Sequence, residues 1–120
     1  MKGAETILLV EDHQQVRELV AETLQAYGYR VIAASSGTEA LLASERHPGP
    51  IHILLTDIAI PDITGFSLAE RLRAARPTLN VLYMSGYAAS SICSPDSFLQ
   101  KPFTIEELAA KVRETLDRAS

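Results

Sequence analysis

The chain has 120 residues, of which 47 % are hydrophobic, and its 11 basic and 15 acidic side chains give a formal net charge of −4. This length and composition exclude a disordered chain, a chain of several domains and a disulfide-dependent fold, since Cys93 is the only cysteine. Short apolar runs and the lack of a basic cluster argue against a membrane span and against nucleic acid as a partner. We therefore expect one soluble, cytoplasmic domain over residues 1–120 that makes no contact with a membrane.

The first third of the chain predicts two strands around a helix. Apolar runs at residues 7–10 and 30–33 are the candidate strands, and continuous apolarity is typical of parallel strands covered on both faces. Between them, helical spacing places one apolar stripe at Val16, Leu19, Val20, Leu24 and Tyr27. Gly28 follows this stripe, at a position where helices commonly end on glycine.

The middle of the chain repeats the alternation of helix and strand. Ser36 and Glu39 have the spacing of a capping box, which predicts a helix that ends before Pro48. The apolar run at residues 51–55 predicts a third strand. A further helix, which stops before Pro77, is indicated by the spacing of Phe66, Ala69 and Leu72.

The last third predicts two more strands and another helix. The apolar run at residues 81–84 is strong, and the run at 97–99 is weak. A second capping box, Thr104 with Glu107, opens a helix whose apolar side carries Ile105, Leu108, Ala109, Val112 and Leu116. Strands alternating with helices indicate an α/β fold with a parallel sheet. The size and the right-handed crossover rule favour a flavodoxin-like three-layer sandwich of five strands in the order 2-1-3-4-5.

Polar residues follow the predicted strands. Glu11 and Asp12 follow the first apolar run, Asp57 the third, Ser85 the fourth and Lys101 the fifth. In a parallel sheet, ligands bind at the carboxyl ends of the strands where the strand order reverses, here between the first and third strands. We therefore expect three carboxylates, a hydroxyl and an amine to form one site.

Three crowded carboxylates repel each other, and a hard divalent cation relieves this repulsion. Magnesium prefers oxygen ligands, so we expect Mg²⁺ to be bound directly by Asp12 and Asp57 and through water by Glu11. Asp12 could also be the N-cap of the first helix. An aspartate carboxylate can attack phosphorus to form an acyl phosphate. Lys101 would then neutralise the transferred phosphoryl group, and Ser85 would donate a hydrogen bond to it.

Four segments, ILLVEDH, LLTDIAIPDITG, YMSGYA and FLQKPF, occur in this order at the predicted strand ends. Together they resemble the receiver domain of two-component response regulators over essentially the whole chain. The forms SGYA and FLQKPFT are similar to receivers attached to hybrid sensor histidine kinases. The resemblance implies a signalling domain in a phosphorelay, phosphorylated by a histidine kinase or a histidine phosphotransfer protein, and not a turnover enzyme. Because the chain ends soon after its last helix, we expect no DNA-binding output domain.

The resemblance also implies roles for single residues at the acidic edge. Asp57 is similar to the phosphoacceptor, and Glu11 and Asp12 are similar to the acidic pair that binds magnesium. The backbone carbonyl of Ala59 would complete the protein ligands of the metal.

The residues that respond to phosphorylation in this family are matched only in part by the chain. Ser85 matches the switch hydroxyl, and Lys101 matches the lysine that pairs with the phosphoryl group, with a cis bond before Pro102. Phe98 falls where the family has a rotating aromatic switch, but it has no hydroxyl and could act only by packing.

Only 11 residues separate Gly86 from Phe98, and a crossover with its helix needs about 10–12 residues. We therefore expect the family's fourth helix to be shortened or missing here, which leaves the output surface and the oligomeric state open.

Three alternatives to a phosphorylated receiver remain. An aspartyl-phosphate hydrolase of the haloacid-dehalogenase type would need a second acid two residues after Asp57, where the chain has Ala59. A nucleotide or flavin binder would need a Gly-rich or Ser/Thr-rich phosphate loop after the first strand, where the chain has EDHQQ. A degenerate receiver that docks proteins without phosphorylation is the main alternative, favoured by the shortened fourth helix.

Overall fold

The computed structural model describes residues 4–86 and 97–118. Its strands are β1 (Thr6–Val10), β2 (Arg30–Ala34), β3 (Ile53–Asp57), β4 (Asn80–Ser85) and β5 (Phe98–Gln100). Its helices are α1 (Gln14–Ala26), α2 (Gly37–Arg46), α3 (Gly65–Ala75) and α4 (Ile105–Arg118). The predicted shortening of the helix between β4 and β5 concerns residues 87–96, which lie outside the described residues. Within the described ranges, no helix is long and apolar enough to cross a membrane.

The strands form one parallel sheet in the order β2-β1-β3-β4-β5. The strand order predicted from the sequence is therefore confirmed. In the sheet, Ile7 of β1 lies opposite Val31 of β2 on one side and Ile53 of β3 on the other. The carboxyl ends of β1 and β3 are thus neighbours at the point where the strand order reverses.

Side chains of β1 alternate between two hydrophobic layers. Ile7 and Leu9 belong to the layer beneath α1 and α4, whereas Leu8 and Val10 belong to the layer beneath α2 and α3. All residues of β1 and of β3 are buried, because helices cover both faces of the sheet. The predicted three-layer sandwich is therefore confirmed.

The third strand begins later than its apolar run suggests. The backbone amide of Thr6 donates to the ring nitrogen Nδ1 of His52 at 2.9 Å, and the amide of His52 donates to the carbonyl of Thr6, also at 2.9 Å. The imidazole thus takes the place of a backbone acceptor, and the regular ladder starts only at Ile53. The strand runs on to Asp57, which is its last residue rather than the residue after it.

Three predicted signals mark helix ends in the structure. Gly28, just after α1, has a φ of 97°, in the left-handed region that favours glycine. Thr104 and Glu107 form both hydrogen bonds of a capping box, at 2.8 and 3.0 Å. At α2, the hydroxyl of Ser36 accepts the amide of Glu39 at 3.1 Å, but the Glu39 carboxylate accepts the amide of the residue before Ser36.

Two members of the predicted apolar stripes are exposed. Helical spacing predicts core positions for the members of both stripes. This prediction is wrong for Leu19 of α1, which is 59 % exposed, and for Ile105 of α4, which is 49 % exposed. Val20 and Leu24 of α1 fill the core instead. Because successive helix residues are rotated by about 100°, Leu19 stands at the edge of the stripe and faces a groove beside Phe103.

A charged contact joins Glu5, the residue before β1, to the last helix. The guanidinium of Arg113 on α4 lies 2.7 Å from Oε2 of Glu5 and donates to the hydroxyl of Tyr29 at 3.3 Å. It also lies 2.9 Å from Oδ1 of Asp117. The hydrogen bond from Arg113 outweighs the effect of partial burial and lowers the pKa of Glu5 to about 2.

We expect Glu5→Gln to lower the free energy of unfolding by about 1 kcal/mol near neutral pH, as for an ion pair partly screened by water. The folded-state pKa of Glu5 lies below its ordinary value of 4.5, so this stabilisation is present above that pH and is lost as the pH falls toward 2. Denaturant unfolding of both proteins across this range measures the difference. The control is Glu22→Gln on the exposed side of α1; a Glu5→Gln effect that does not shrink in acid would contradict the expectation.

Candidate functional site

Three charged side chains reach the carboxyl edge of the sheet on the same face. Glu11 follows β1, Asp57 ends β3, and Lys101 follows β5. Each stands two positions after a leucine of the layer beneath α1 and α4, and these leucines are Leu9, Leu55 and Leu99. Because side chains alternate between the faces of a strand, the two-residue spacing directs all three charged groups to the same side.

Lys101 lies between the two carboxylates. Its Nζ is 2.6 Å from Oε1 of Glu11 and 2.7 Å from Oδ1 of Asp57. Glu11 is fully buried, and Asp57 is only 6 % exposed. The other oxygen of Glu11 accepts the backbone amide of His13 at 3.1 Å. One ammonium group therefore stabilises two buried acids at once.

The pKa values of the two acids move in opposite directions. Burial and the adjacent Glu11 carboxylate raise the pKa of Asp57 to about 7, against the opposing effect of Lys101. Burial also raises the pKa of Glu11, but hydrogen bonds with Asp57 and Lys101 outweigh burial and hold this pKa below its ordinary value. Burial lowers the pKa of Lys101, but its hydrogen bonds to the two acids raise it above the ordinary value. Asp57 therefore binds a proton more readily than an ordinary aspartate does, whereas the Glu11 carboxylate favours its ionised form beside the ammonium.

A cavity of about 340 Å³ opens at this edge of the sheet. Its lining includes every polar residue predicted from the strand ends and the predicted carbonyl ligand, namely Glu11, Asp12, Asp57, Ala59, Ser85 and Lys101. Phe98, the predicted aromatic switch, is half-buried on β5 opposite Tyr83 and does not line the cavity. The fold thus brings residues from four parts of the chain to one place and leaves Phe98 outside it.

Backbone hydrogen bonds hold the strand ends around the cavity. The carbonyl of Ser85 accepts the amide of Lys101 at 2.8 Å, and the carbonyl of Met84 accepts the amide of Ile58 at 3.0 Å. The Lys101–Pro102 bond is cis, as the resemblance implies. The segments that carry Asp57, Ser85 and Lys101 are therefore tied to one another through β4.

The N-cap of α1 is not Asp12, which the sequence offered as a candidate for this position. His13 is the N-cap residue of α1, which excludes Asp12 from that position, and the His13 side chain makes no capping hydrogen bond. Asp12 is exposed, and ligand atoms of Glu11, Asp12 and His13 all lie within 4.8 Å of one another. His13 is thus a possible nitrogen donor beside the acidic pair, which the predicted ligand set does not include.

The donors at this edge suit magnesium. The carboxylates of Glu11, Asp12 and Asp57 and the exposed Ala59 border the same cavity. Mg²⁺ takes oxygen ligands and keeps several waters, and the cavity has room for them. The raised pKa of Asp57 means that Lys101 alone does not offset the burial of this carboxylate and its repulsion by Glu11. A divalent cation bound at this edge would favour the form in which all of these carboxylates are ionised.

Gly65, the first residue of α3, allows this helix to start directly against the site. A Cβ at Gly65 would collide with the backbone carbonyl oxygen of Asp57 and lie 3.1 Å from Cα of Ile58. The amide of Gly65 donates to the carbonyl of Ile58 at 2.7 Å. The sequence marks Gly65 only as part of a turn, because a close approach between backbones separated along the chain leaves no local pattern.

Residues 7–113 match the family model of the response regulator receiver domain, so the chain belongs to this family. It is 36 % identical to the sensor kinase CckA of Brucella abortus over 98 % of this chain and 13 % of that protein. It is also 32 % identical to the response regulator receiver protein CpdR of Brucella abortus, over 92 % of this chain and 95 % of that protein.

Solved structures agree with this assignment. The receiver domain of the hybrid histidine kinase CckA superposes with a TM-score of 0.81 at 38 % identity, over 92 % of this chain and 98 % of that one. The response regulator TrrA of Thermotoga maritima, solved in complex with Mg²⁺-BeF, gives a TM-score of 0.79 at 30 % identity, over 93 % of this chain and 99 % of that one. The chain is therefore similar both to free-standing receivers and to a small part of a much longer kinase.

We expect Gly65→Ala to destabilise the protein by about 1–3 kcal/mol, as for overpacking of a close contact. The added Cβ must displace the backbone of Asp57 and Ile58, neither of which is a flexible side-chain end. Denaturant unfolding measures the loss, and amide chemical shifts at Asp57 and Ile58 report the displacement. The control is Gly49→Ala, where a Cβ would come no closer than 3.5 Å to the His47 ring. Equal stability of the two variants would refute the proposed contact.

Proposed function

We propose that the chain accepts a phosphoryl group on Asp57 from a phosphohistidine donor, with Mg²⁺ at the acidic edge, and signals through this modification. The observation that carries the proposal is the buried Asp57 carboxylate, which lies 2.7 Å from Lys101 at the wall of an open cavity. Membership in the receiver family supports the same function. The cytoplasm, where such donors act, is the proposed location.

The transfer forms one bond and breaks one bond. A carboxylate oxygen of Asp57 attacks phosphorus, the phosphorus–nitrogen bond of the donor breaks, and the nitrogen keeps the electron pair and takes up a proton. Lys101 would release its contact with Asp57 and pair with the phosphoryl oxygens. Ser85, on the same cavity wall, would donate a hydrogen bond to them.

Asp12 and Asp57 would hold the cation directly, with the backbone carbonyl of Ala59, while Glu11 would act through water. The full burial of Glu11 and its hydrogen bonds to Lys101 and His13 support this indirect role. When bound, Mg²⁺ supplies positive charge beside the transferred phosphoryl oxygens. The chain's own contribution is to hold the acceptor oxygen, the ammonium and the hydroxyl around one space.

We also propose that the protein is a receiver and not a turnover enzyme. Ala59 stands where an aspartyl-phosphate hydrolase needs a second acid, and it borders the cavity without a side chain that could transfer a proton. Ser85 would respond to the phosphoryl group directly. Phe98, outside the cavity, could contribute to a switch only by repacking.

A groove beside the cavity fits the protein that would carry the phosphohistidine. It has a volume of about 560 Å³ and is lined by apolar residues of α1 and of the segment after β5, including Leu19 and Phe103. It shares Gly86 and Lys101 with the cavity. A histidine kinase or histidine phosphotransfer protein that places an apolar surface here would bring its histidine to Asp57.

We expect Asp57→Asn to abolish acid-labile phosphorylation by acetyl phosphate, because an amide lacks the nucleophilic carboxylate. Radiolabelled acetyl phosphate in the presence of Mg²⁺ measures the incorporation. The matched control is Asp117→Asn on α4, which we expect to be labelled like the wild type. Chelation with EDTA should also stop the reaction, and added Mg²⁺ should restore it.

The same measurement separates the proposal from the alternative of a degenerate docking receiver. Labelling of Asp57→Asn at the wild-type level would overturn the assignment of the acceptor. A wild-type protein that takes up no label with Mg²⁺ would favour the docking module.

We expect Leu19→Arg to slow phosphoryl transfer from a phosphohistidine protein by about tenfold or more, as for the loss of a central apolar contact. Phosphorylation by acetyl phosphate should be unchanged, since this small donor needs no docking groove. The matched control is Leu42→Arg on α2, which is also exposed but belongs to the other face of the sheet. The comparison uses any phosphohistidine protein that labels the wild type. Equal transfer rates for both variants would exclude the groove as the docking site.

A further inference from the structure

The loop between β3 and α3, residues 58–64, carries the proposed carbonyl ligand Ala59. Its base is closed by the hydrogen bond from the Gly65 amide to the Ile58 carbonyl at 2.7 Å. Ala59 and Thr64 pair across the loop as an isolated antiparallel bridge. The two ends of the loop are therefore held against each other beside Ala59, and the position of the Ala59 backbone also depends on where the tip of the loop is fixed.

The tip of this loop is fixed to α2 by Asp62. Oδ1 of Asp62 accepts the backbone amide of Gly37 at 2.9 Å. Oδ2 accepts the amide of Thr38 at 2.8 Å and its hydroxyl at 2.6 Å. These hydrogen bonds lower the pKa of Asp62, so the side chain carries a full negative charge at the N-terminus of α2. One exposed aspartate thus makes three hydrogen bonds to a segment 24 or 25 residues away.

This contact does more than cap the helix. The hydroxyl of Ser36 already accepts an amide of the first turn of α2, that of Glu39, at 3.1 Å. Gly37 packs so closely beneath the loop that a Cβ there would lie 2.6 Å from Cγ1 of Ile63. Two neighbouring residues therefore attach the loop to the start of α2, Asp62 through hydrogen bonds and Ile63 through packing.

We infer that Asp62 is a positioning residue which holds the Ala59 loop against α2 and thereby sets the affinity of the acidic site for Mg²⁺. The inference rests on the proposed function, in which the carbonyl of Ala59 binds the cation. Asp62 itself does not line the cavity and would not touch the metal. Its effect passes through the loop: the carboxylate of Asp62 fixes the tip, the hydrogen bond from Gly65 to Ile58 closes the base, and the carbonyl of Ala59 between them stays at the cavity wall.

The test compares Asp62→Ala with Ser36→Ala. Both remove one side chain that hydrogen-bonds the first turn of α2, but only Asp62 connects this turn to the loop. Mg²⁺ affinity is measured by calorimetry and by amide chemical shifts, with no phosphoryl donor present. We expect Asp62→Ala to bind Mg²⁺ about tenfold more weakly, the lower end of the range for groups that orient metal ligands. Ser36→Ala should bind as tightly as the wild type.

Two further readouts distinguish positioning from a loss of stability. Amide hydrogen exchange at Gly65, whose amide donates to the Ile58 carbonyl at the base of the loop, should accelerate in Asp62→Ala but not in Ser36→Ala, because only the first change releases the loop. Asp62→Asn keeps an acceptor oxygen for the Gly37 amide but loses an acceptor for Thr38, so its Mg²⁺ affinity should be intermediate.

The outcomes separate this inference from the proposed function. Wild-type Mg²⁺ affinity in Asp62→Ala, or an equal loss in Ser36→Ala, would overturn the positioning role while the proposed function stands. A wild-type protein that binds no Mg²⁺ would overturn both.

Discussion

Two buried carboxylates, Glu11 and Asp57, share the end of this sheet only because a cation lies between them. Lys101 comes from the segment after β5, which lies two strands from β3 and three from β1 in the sheet. Neighbouring strands are about 4.8 Å apart, so only a long cationic side chain can reach across β4 to both acids. The strand order, the backbone bond between Lys101 and Ser85, and the long stem of lysine are therefore required together. If the sheet lacked β5, two acids would be left in a desolvated position without a counter-charge.

The fold was predictable because its information is local and periodic. Continuous apolar runs identify buried parallel strands, and the positions of Glu11, Asp57 and Lys101 two residues after a core leucine direct them to one face. Two deviations occur where a contact of one residue differs from what the residue types alone suggest. His52 accepts a hydrogen bond from the amide of Thr6, which delays the start of β3, and His13 rather than Asp12 occupies the N-cap of α1. Both deviations depend on the position of a neighbouring strand or turn, and the residue types alone do not reveal that position.

The supporting contacts of the site were not predictable. Asp62 and Gly37 lie far apart in the chain, and each resembles an ordinary turn or helix-start residue in its own segment. Leu19 has the spacing of a core residue, yet it is exposed, because the edge of the α1 stripe extends past the core to the groove beside Phe103. Helical spacing indicates that a residue lies on the apolar face of a helix. It does not indicate whether that part of the face packs in the core or lines a groove.

The arrangement also indicates how modification of Asp57 would reach the rest of the molecule. A phosphoryl group adds about −1.5 to −2 charges, and Lys101 cannot keep equally short contacts to Glu11 and to a group extended beyond Asp57. The backbone of Lys101 is tied to Ser85 at the end of β4, and Ile58 is tied to Met84 on the same strand. A change in the Lys101 contact would therefore act first on the end of β4. The Asp62 contact holds the opposite side of the cavity to α2, so the β4–β5 side can respond while the Ala59 side stays in place.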